Sequence, residues 1–147
     1  LDYSSEALSL ANKHTDWDSE VIQAKIPDLP VKADVADMIV DSYVSCHFIS
    51  QPEITSYFDE IERVASEGAQ LYWIGVGVED EYYSQFTETR TVLDPVNNIS
   101  KRLYSLRDVK NSFEREYTVE YADSIIFEDT VNGEVYERDI LVACFKV

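Results

Sequence analysis

The stretch from Glu20 to Phe48 constrains the fold more than any other: E-V-I-Q-A-K-I-P-D-L-P-V-K-A-D-V-A-D-M-I-V-D-S-Y-V-S-C-H-F. Two short apolar runs, Val21-Ile22 and Met38-Ile39-Val40, each break off abruptly in polar residues, with a D-L-P linker between them. Short β-rich runs bounded by Pro, Asp and Ser read as buried strands of a parallel sheet. Ligands of open α/β sheets bind beyond the carboxyl ends of the strands. Lys25 to Asp28 and Asp41 to His47 are therefore the first places to look for chemistry.

Composition bounds the rest. At 147 residues the chain suits one domain with a real core, and 45% hydrophobic content is that of a globular protein. The net charge is −17, from 29 acidic against 12 basic residues. Phosphate binding needs a basic face, so a nucleic acid is disfavoured as partner. Solubility or a salty environment accounts for the acidity more readily than a cationic substrate does. Cys46 and Cys144 fit no metal-ligand spacing, and a reduced, cytoplasmic protein is the simplest account. No apolar run approaches the roughly 20 residues that span a membrane.

Several pieces in order then resemble one family. They are Gln23-Ala24-Lys25, Asp28-Leu29-Pro30-Val31, Asp37-Met38-Ile39-Val40 and Ser42-Tyr43-Val44-Ser45-Cys46-His47, preceded by Leu1-Asp2-Tyr3-Ser4-Ser5-Glu6-Ala7-Leu8. Their order and spacing, with no gap, resemble the class I S-adenosylmethionine-dependent methyltransferases, most strongly over residues 1 to 78. The resemblance implies an α/β, Rossmann-like three-layer sandwich: a mostly parallel sheet, strand order 3-2-1-4-5-7-6, closed by an antiparallel hairpin. It also implies S-adenosyl-L-methionine as cofactor and a small molecule as methyl acceptor.

Site residues follow from the same resemblance. Asp2 stands where the family places a carboxylate that accepts both ribose hydroxyls of the cofactor. An ionised carboxylate can accept two such bonds at once. An acid beside a helix start is the competing account of Asp2. After Gln23-Ala24 the family usually has an Asp for the adenine amino group; Lys25 stands there and only donates. The backbone amide of Ile26 and the carboxylate of Asp28 remain as adenine contacts, with a plain D-L-P turn as the alternative for Asp28. Asp41 and Ser42 fall near the methionine part of the cofactor. Asp41 there pairs with a cofactor charge or takes a proton from the substrate, or is a solvated loop carboxylate. His47 is a base or a packed, helix-end histidine.

The remaining chain reads in order. A helix opens at Ser4 or Ser5, shows Ala7, Leu8 and Ala11 on one face and frays by Thr15; Trp17 to Ser19 forms a turn. Ser50-Gln51-Pro52-Glu53 is a capping box, followed by an apolar stripe at Ile54, Tyr57, Phe58, Ile61 and Val64. The spacing predicts a helix over 53–66 that ends in a left-handed cap at Glu67-Gly68. Parallel strands are predicted near 20–24, 36–41 and 70–76. Gly75-Val76-Gly77 lacks a third glycine and reads as a strand exit. Residues 79–104 form a long, Tyr-rich excursion of the kind that makes lids or binding loops; there Tyr82, Tyr83, Phe86, Arg90 and Arg102 either line a substrate entrance or pack against the sheet edge, and Tyr43 at the turn is a further candidate substrate contact. Ser105 caps another helix, with Leu106, Val109 and Phe113 inward. Asn132-Gly133 is the strongest short hairpin signal. Its antiparallel strands, ending in Ile140–Phe145, set this fold apart from an ordinary dinucleotide-binding sheet; Arg138-Asp139 reads as a surface pair, with a substrate-side contact as the alternative.

The family's glycine-rich loop and first strand would precede Asp2. Residues 1–147 are therefore expected to be the C-terminal part of a single methyltransferase-like domain, without strand 1 and most of strand 2. The chain alone is expected to show no methyl transfer. Two other functions remain in play: a non-catalytic methyltransferase-like binding subunit, and a nicotinamide-dependent oxidoreductase, which the hairpin and D-L-P disfavour. The acceptor and the oligomeric state are not legible.

Overall fold

The computed structural model of the protein describes residues 1–14, 20–114 and 116–146. Helix α1 (Ser5–His14) leads, and β1 (Ala36–Ser42) is followed by a 3-10 turn at Ser45–His47. Helix α2 (Gln51–Val64) then carries the chain into β2 (Ala65–Val76). Beyond lie α3 (Glu81–Ser84), β3 (Thr91–Leu93), β4 (Ser100–Arg102), α4 (Leu106–Lys110), β5 (Thr118–Val131) and β6 (Glu134–Lys146).

The main sheet has the order β1-β2-β6-β5, and β3 and β4 form a separate ribbon. β1 and β2 run parallel, joined by α2 as crossover helix; β2–β6 and β6–β5 are antiparallel. This reproduces the last four places, 4-5-7-6, of the expected strand order. In this sheet only one of three pairings is parallel, so "mostly parallel" does not hold for the described residues. The predicted strand near 20–24 is reduced to one parallel bridge between Asp2 and Gln23, outside the main sheet. With a single bridge to pair with, Val21 and Ile22 extend no ladder. The turn expected at Trp17–Ser19 lies outside the described residues, as does Thr15, where α1 was expected to fray.

Helix α2 forms for the reasons legible in its sequence. Ser50 Oγ accepts from Glu53 N, Glu53 accepts in return from Ser50 N at 3.1 Å, and Pro52 sits in the first turn. Its stripe of Ile54, Tyr57, Phe58, Ile61 and Val64 is buried throughout. It packs on Leu71 and Trp73 of β2 and Ala143 and Phe145 of β6. Leu71 pairs with Phe145 and Trp73 with Ala143, so these four project from one face of the sheet. Val109 of α4 and Tyr104 complete that core. Burying such side chains contributes about 1.5–3 kcal/mol each. On the opposite face Met38 and Val40 of β1 stay 59% and 60% exposed, so β1, terminal in its sheet and covered on one face by α2, is not the buried strand its apolar run predicts. Helix α1 has no buried residue.

Helix α2 does not end at a left-handed cap. It stops at Val64, and Ala65 is already extended; Gly68, with φ +80°, lies within the irregular first half of β2. Apolar Ala65 and Ala69 are buried there, so packing draws the chain into the strand before the glycine is reached. The Asn132-Gly133 turn is as predicted, with φ of +54° and +87°. Arg138-Asp139 is not a surface pair. Asp139 is buried, and Arg138 reaches inward to Asp80 at 2.9 Å, because α3 folds over β6 at this point.

Candidate functional site

The carboxyl end of β1 and the loop at 23–28 define one rim of the molecule. At the loop, Ala24 N donates to Asp2 O at 3.0 Å and Asp2 N to Ile22 O at 3.3 Å. Asp2 Oδ1 accepts from Ser4 N at 2.8 Å and so faces the start of α1. Lys25 and Asp28 form an antiparallel bridge across the Ile26-Pro27 peptide, which is cis. The structure thus brings Asp2, Lys25, Ile26 and Asp28 into one backbone-linked cluster.

What holds this cluster in place was not anticipated. Leu29 N donates to Glu60 Oε1 at 2.8 Å, and Arg63 donates both to Leu29 O at 3.3 Å and to Glu60 at 2.7 Å. The D-L-P linker is therefore tied to α2. The Arg63 guanidinium beside Glu60 is the leading influence that holds the Glu60 carboxyl below its usual range. A Glu–Arg pair three apart on a helix was visible in the sequence, but nothing marked its outside partner.

A cavity of about 270 Å³ lies between this cluster and α2, lined by Lys25, Ile26, Pro27, Phe48, Pro52, Glu53 and Ser56. Of the two adenine contacts left by the resemblance, Ile26 lines this cavity and Asp28 does not; Lys25, which departs from the family's Asp, lines it as well. Phe48, Pro52 and Ile26 give it apolar walls, a fit for a flat aromatic ring.

At the end of β1 the nominated residues separate. Asp41 is only 2% exposed. Its Oδ1 accepts from Val44 N at 2.9 Å and Ser45 N at 3.3 Å, closing the turn. Burial pushes its carboxyl above the usual range, against the opposing pull of Ser45, Tyr57 and the turn amides. Ser42 is exposed, and Tyr43 follows with φ +61°, uncommon for a bulky residue. Tyr43 is held by its N–H to Ile74 O at 2.9 Å and by Cys46 Sγ donating to its carbonyl at 2.9 Å. Its ring packs against both hydrophobic clusters of the protein. His47 is exposed at the end of the 3-10 turn.

The residues of the 79–104 excursion divide in the same way. Tyr82 and Tyr83 are buried with Val76, Val92 and Leu103, so they form a packed unit rather than the wall of an opening. Tyr83 Oη donates to Asp94 at 2.9 Å, Lys101 pairs with Asp94 at 2.7 Å, and Arg138 stacks over both Tyr rings. Arg90 pairs with Asp108 at the cap of α4. Arg102 is half-buried over the Tyr104 ring, and Tyr104 Oη donates to Ser45 O at 3.3 Å. Arg102 thus lies toward the turn that follows β1. Asp80 and Asp94 are buried but carry no periodicity signal that would mark them in the sequence, and Asp139 is marked there only as half of the Arg138-Asp139 pair. Among the described residues no group of three or more His, Cys, Asp or Glu could hold a metal, and no helix is long and apolar enough to cross a membrane.

Comparison with known proteins bears on this arrangement. The sequence pattern of the methyltransferase-domain family matches residues 1–73. A solved S-adenosylmethionine-dependent methyltransferase from Methanosarcina mazei is 15% identical and superposes with a TM-score of 0.74 over 99% of this chain and 79% of its own. A protein from Pyrococcus horikoshii gives 0.70 at 14% identity, over 98% and 68%. An S-adenosylmethionine-dependent methyltransferase from Mesorhizobium loti gives 0.66 at 11% identity, over 99% and 77%. At these identities the structural likeness bears on the fold alone. No curated protein matches the chain.

Proposed function

We propose that this chain, whose residues 1–73 match the methyltransferase-domain family and whose fold is shared with a solved S-adenosylmethionine-dependent methyltransferase, binds the adenosine part of S-adenosylmethionine along the 23–28 rim and serves methyl transfer to a small molecule. The observation that carries this is the coincidence of the cavity at Lys25, Ile26 and Phe48 with the backbone-linked cluster of Asp2 and Asp28. The cavity supplies apolar walls for the adenine and includes Ile26, whose amide is the proposed adenine contact, while Asp28 is linked to the lining residue Lys25 by a backbone bridge. Asp2 keeps Oδ2 for a ribose hydroxyl while Oδ1 serves Ser4. When bound, the cofactor supplies an electrophilic methyl group on its sulfonium.

The chain's own residues then position and exclude. Ser42 and the peptide of Tyr43 stand at the carboxyl end of β1, where the family carries the methionine part of the cofactor. Tyr43, fixed by Ile74 and Cys46, packs between the two hydrophobic clusters at that end. Arg102 and His47 are the polar groups offered to an acceptor, with Tyr82 and Tyr83 as the packed support beneath. Asp41 acts through the turn it closes, by holding Val44 and Ser45 where they are.

The outer edge of β1 pairs with nothing among the described residues, since β1 is terminal in its sheet. A further parallel strand laid on that edge, ending in a glycine-rich turn, would complete the methionine side of the site. Without such a strand, transfer by residues 1–147 is expected to be absent. A methyltransferase-like subunit that binds without catalysis is the alternative form of the same proposal.

Isothermal titration with S-adenosylhomocysteine, adenosine and NAD tests this. Adenosine binding that weakens in Asp2→Ala is the expected result. Losing charge-assisted bonds to the ribose corresponds to about 1.5–3 kcal/mol each. A preference for NAD, or adenosine affinity indifferent to Asp2, would overturn it.

A further inference from the structure

The free edge of the C-terminal hairpin has a chemistry of its own. β5 pairs with β6 over its whole length and is terminal in the sheet. β2 meets β6 only from Ile140 to Lys146, so the hairpin runs on beyond β2 as a two-stranded arm. That arm is braced. Arg138 reaches Asp80 and Asp129 at 2.9 Å each, and Glu137 N donates to the Glu81 carboxylate at 2.7 Å.

At the middle of β5, Ile125, Ile126 and Phe127 are 53%, 49% and 41% exposed. Consecutive strand residues point to opposite faces, so the edge is apolar on both sides at once. Tyr121 adds a further exposed ring. Glu120 and Asp123 flank this run on one side, Glu128 and Asp129 on the other, and β5 contains no Lys, Arg or Pro. Those are among the residues that ordinarily blunt a sheet edge. Asp129 is neutralised by Arg138, and Glu120 is engaged by Gln70. Asp123 and Glu128 form no ion pair among the described residues.

We propose that the outer edge of β5 is a docking strand for an extended cationic segment of a partner protein. The segment adds to the sheet by backbone pairing, lays apolar side chains over Ile125–Phe127 and sets Lys or Arg beside Asp123 and Glu128. A second copy of this chain fits the edge less well. An antiparallel copy centred on Ile126 brings the Asp123 and Glu128 of both chains to one seam, and β5 holds no Lys or Arg to pair with them. The net charge of −17 further favours a cationic partner over self-association.

The probe is a synthetic nonapeptide, Lys-Thr-Lys-Val-Ile-Val-Lys-Thr-Lys, titrated onto the 147-residue chain by fluorescence anisotropy at physiological salt. An added strand uses only every second backbone N–H. N-methylation of one alternate set of amides is therefore expected to weaken binding at least tenfold, and methylation of the other set to leave it unchanged. Replacing every Lys by Glu is expected to abolish binding, and Ile126→Asp, at an exposed position, to weaken it tenfold with an unchanged circular dichroism spectrum. Equal tolerance of both methylation patterns would mean attraction by charge alone and would overturn the proposal. So would failure of the parent peptide to bind. A concentration-dependent dimer in light scattering that Ile126→Asp disperses would assign the edge to a second copy instead.

Discussion

The indole Nε1 of Trp73 donates to Ser45 Oγ at 2.8 Å, with the two residues 0% and 1% exposed. Through this bond the central strand β2 fixes the turn that follows β1. Ser45→Ala leaves a buried N–H without a partner, which costs about 1–3 kcal/mol. Urea denaturation followed by Trp fluorescence is expected to show that loss. An unchanged midpoint would mean that water replaces the hydroxyl.

Gly77 faces the carboxylate of Asp139 so closely that a Cβ would overlap it. Gly77→Ala must displace a buried carboxylate and the Glu79 N–H it accepts at 3.3 Å. Overpacking of this kind costs about 1–3 kcal/mol. Gly68→Ala has open space around it but a φ of +80°, so its cost is about 1–2 kcal/mol and purely conformational. Denaturation of both variants separates the two causes, because a second substitution, Asp139→Ala, should relieve the first and leave the second untouched.

Asp41 makes a pH-dependent contribution whose sign is unusual for a carboxylate. Burial raises its folded-state pKa above the ordinary 3.8. Ionisation therefore penalises the folded state; the penalty is full above the folded pKa and vanishes as pH falls toward the unfolded value. Asp41→Asn keeps an oxygen for the Val44 and Ser45 amides and removes the charge. The variant is expected to be at least as stable as the parent at pH 7, with the difference shrinking as pH is lowered toward 4. A variant much less stable at pH 7 would show that ionised Asp41 is favoured by its surroundings.

Cys46 is 1% exposed, and burial, with Asp41 nearby, pushes its thiol up to about 12. The thiolate is the reactive form. Iodoacetamide at pH 8 is expected to leave Cys46 unmodified in the native chain and to alkylate it in urea, as read by mass spectrometry. Native labelling would show that the turn opens readily.

The elements with strong local signals were legible in the sequence. The Ser50 capping box, the five-residue stripe of α2, the 70–76 strand and the Asn132-Gly133 turn all stand where periodicity and turn chemistry put them. The misreadings share a cause. Val21-Ile22 looked like a strand by composition, but a strand exists only where a neighbour completes its ladder. Gly68 looked like a helix cap, but packing of Ala65 and Ala69 overrode that preference. At the candidate site, Lys25 and Ile26 line a cavity. The inward positions of Asp41, Tyr82 and Tyr83 depend on contacts with Tyr57, Val92 and Arg138, which no local periodicity links to them.

The position of β2 between one parallel and one antiparallel neighbour also governs how the sheet assembles. β5 and β6 are joined by a two-residue turn, so their ladder closes almost no loop. β1 and β2 can pair only after α2 has carried the chain back across the sheet. Loop-closure entropy and contact order both favour the nearer pairing. By the same argument the C-terminal hairpin is expected to pair first and β1 with β2 next, since Ile39 and Leu71 lie 32 residues apart; the seam of β2 with β6, where Leu71 meets Phe145 across 74 residues, is expected to close last.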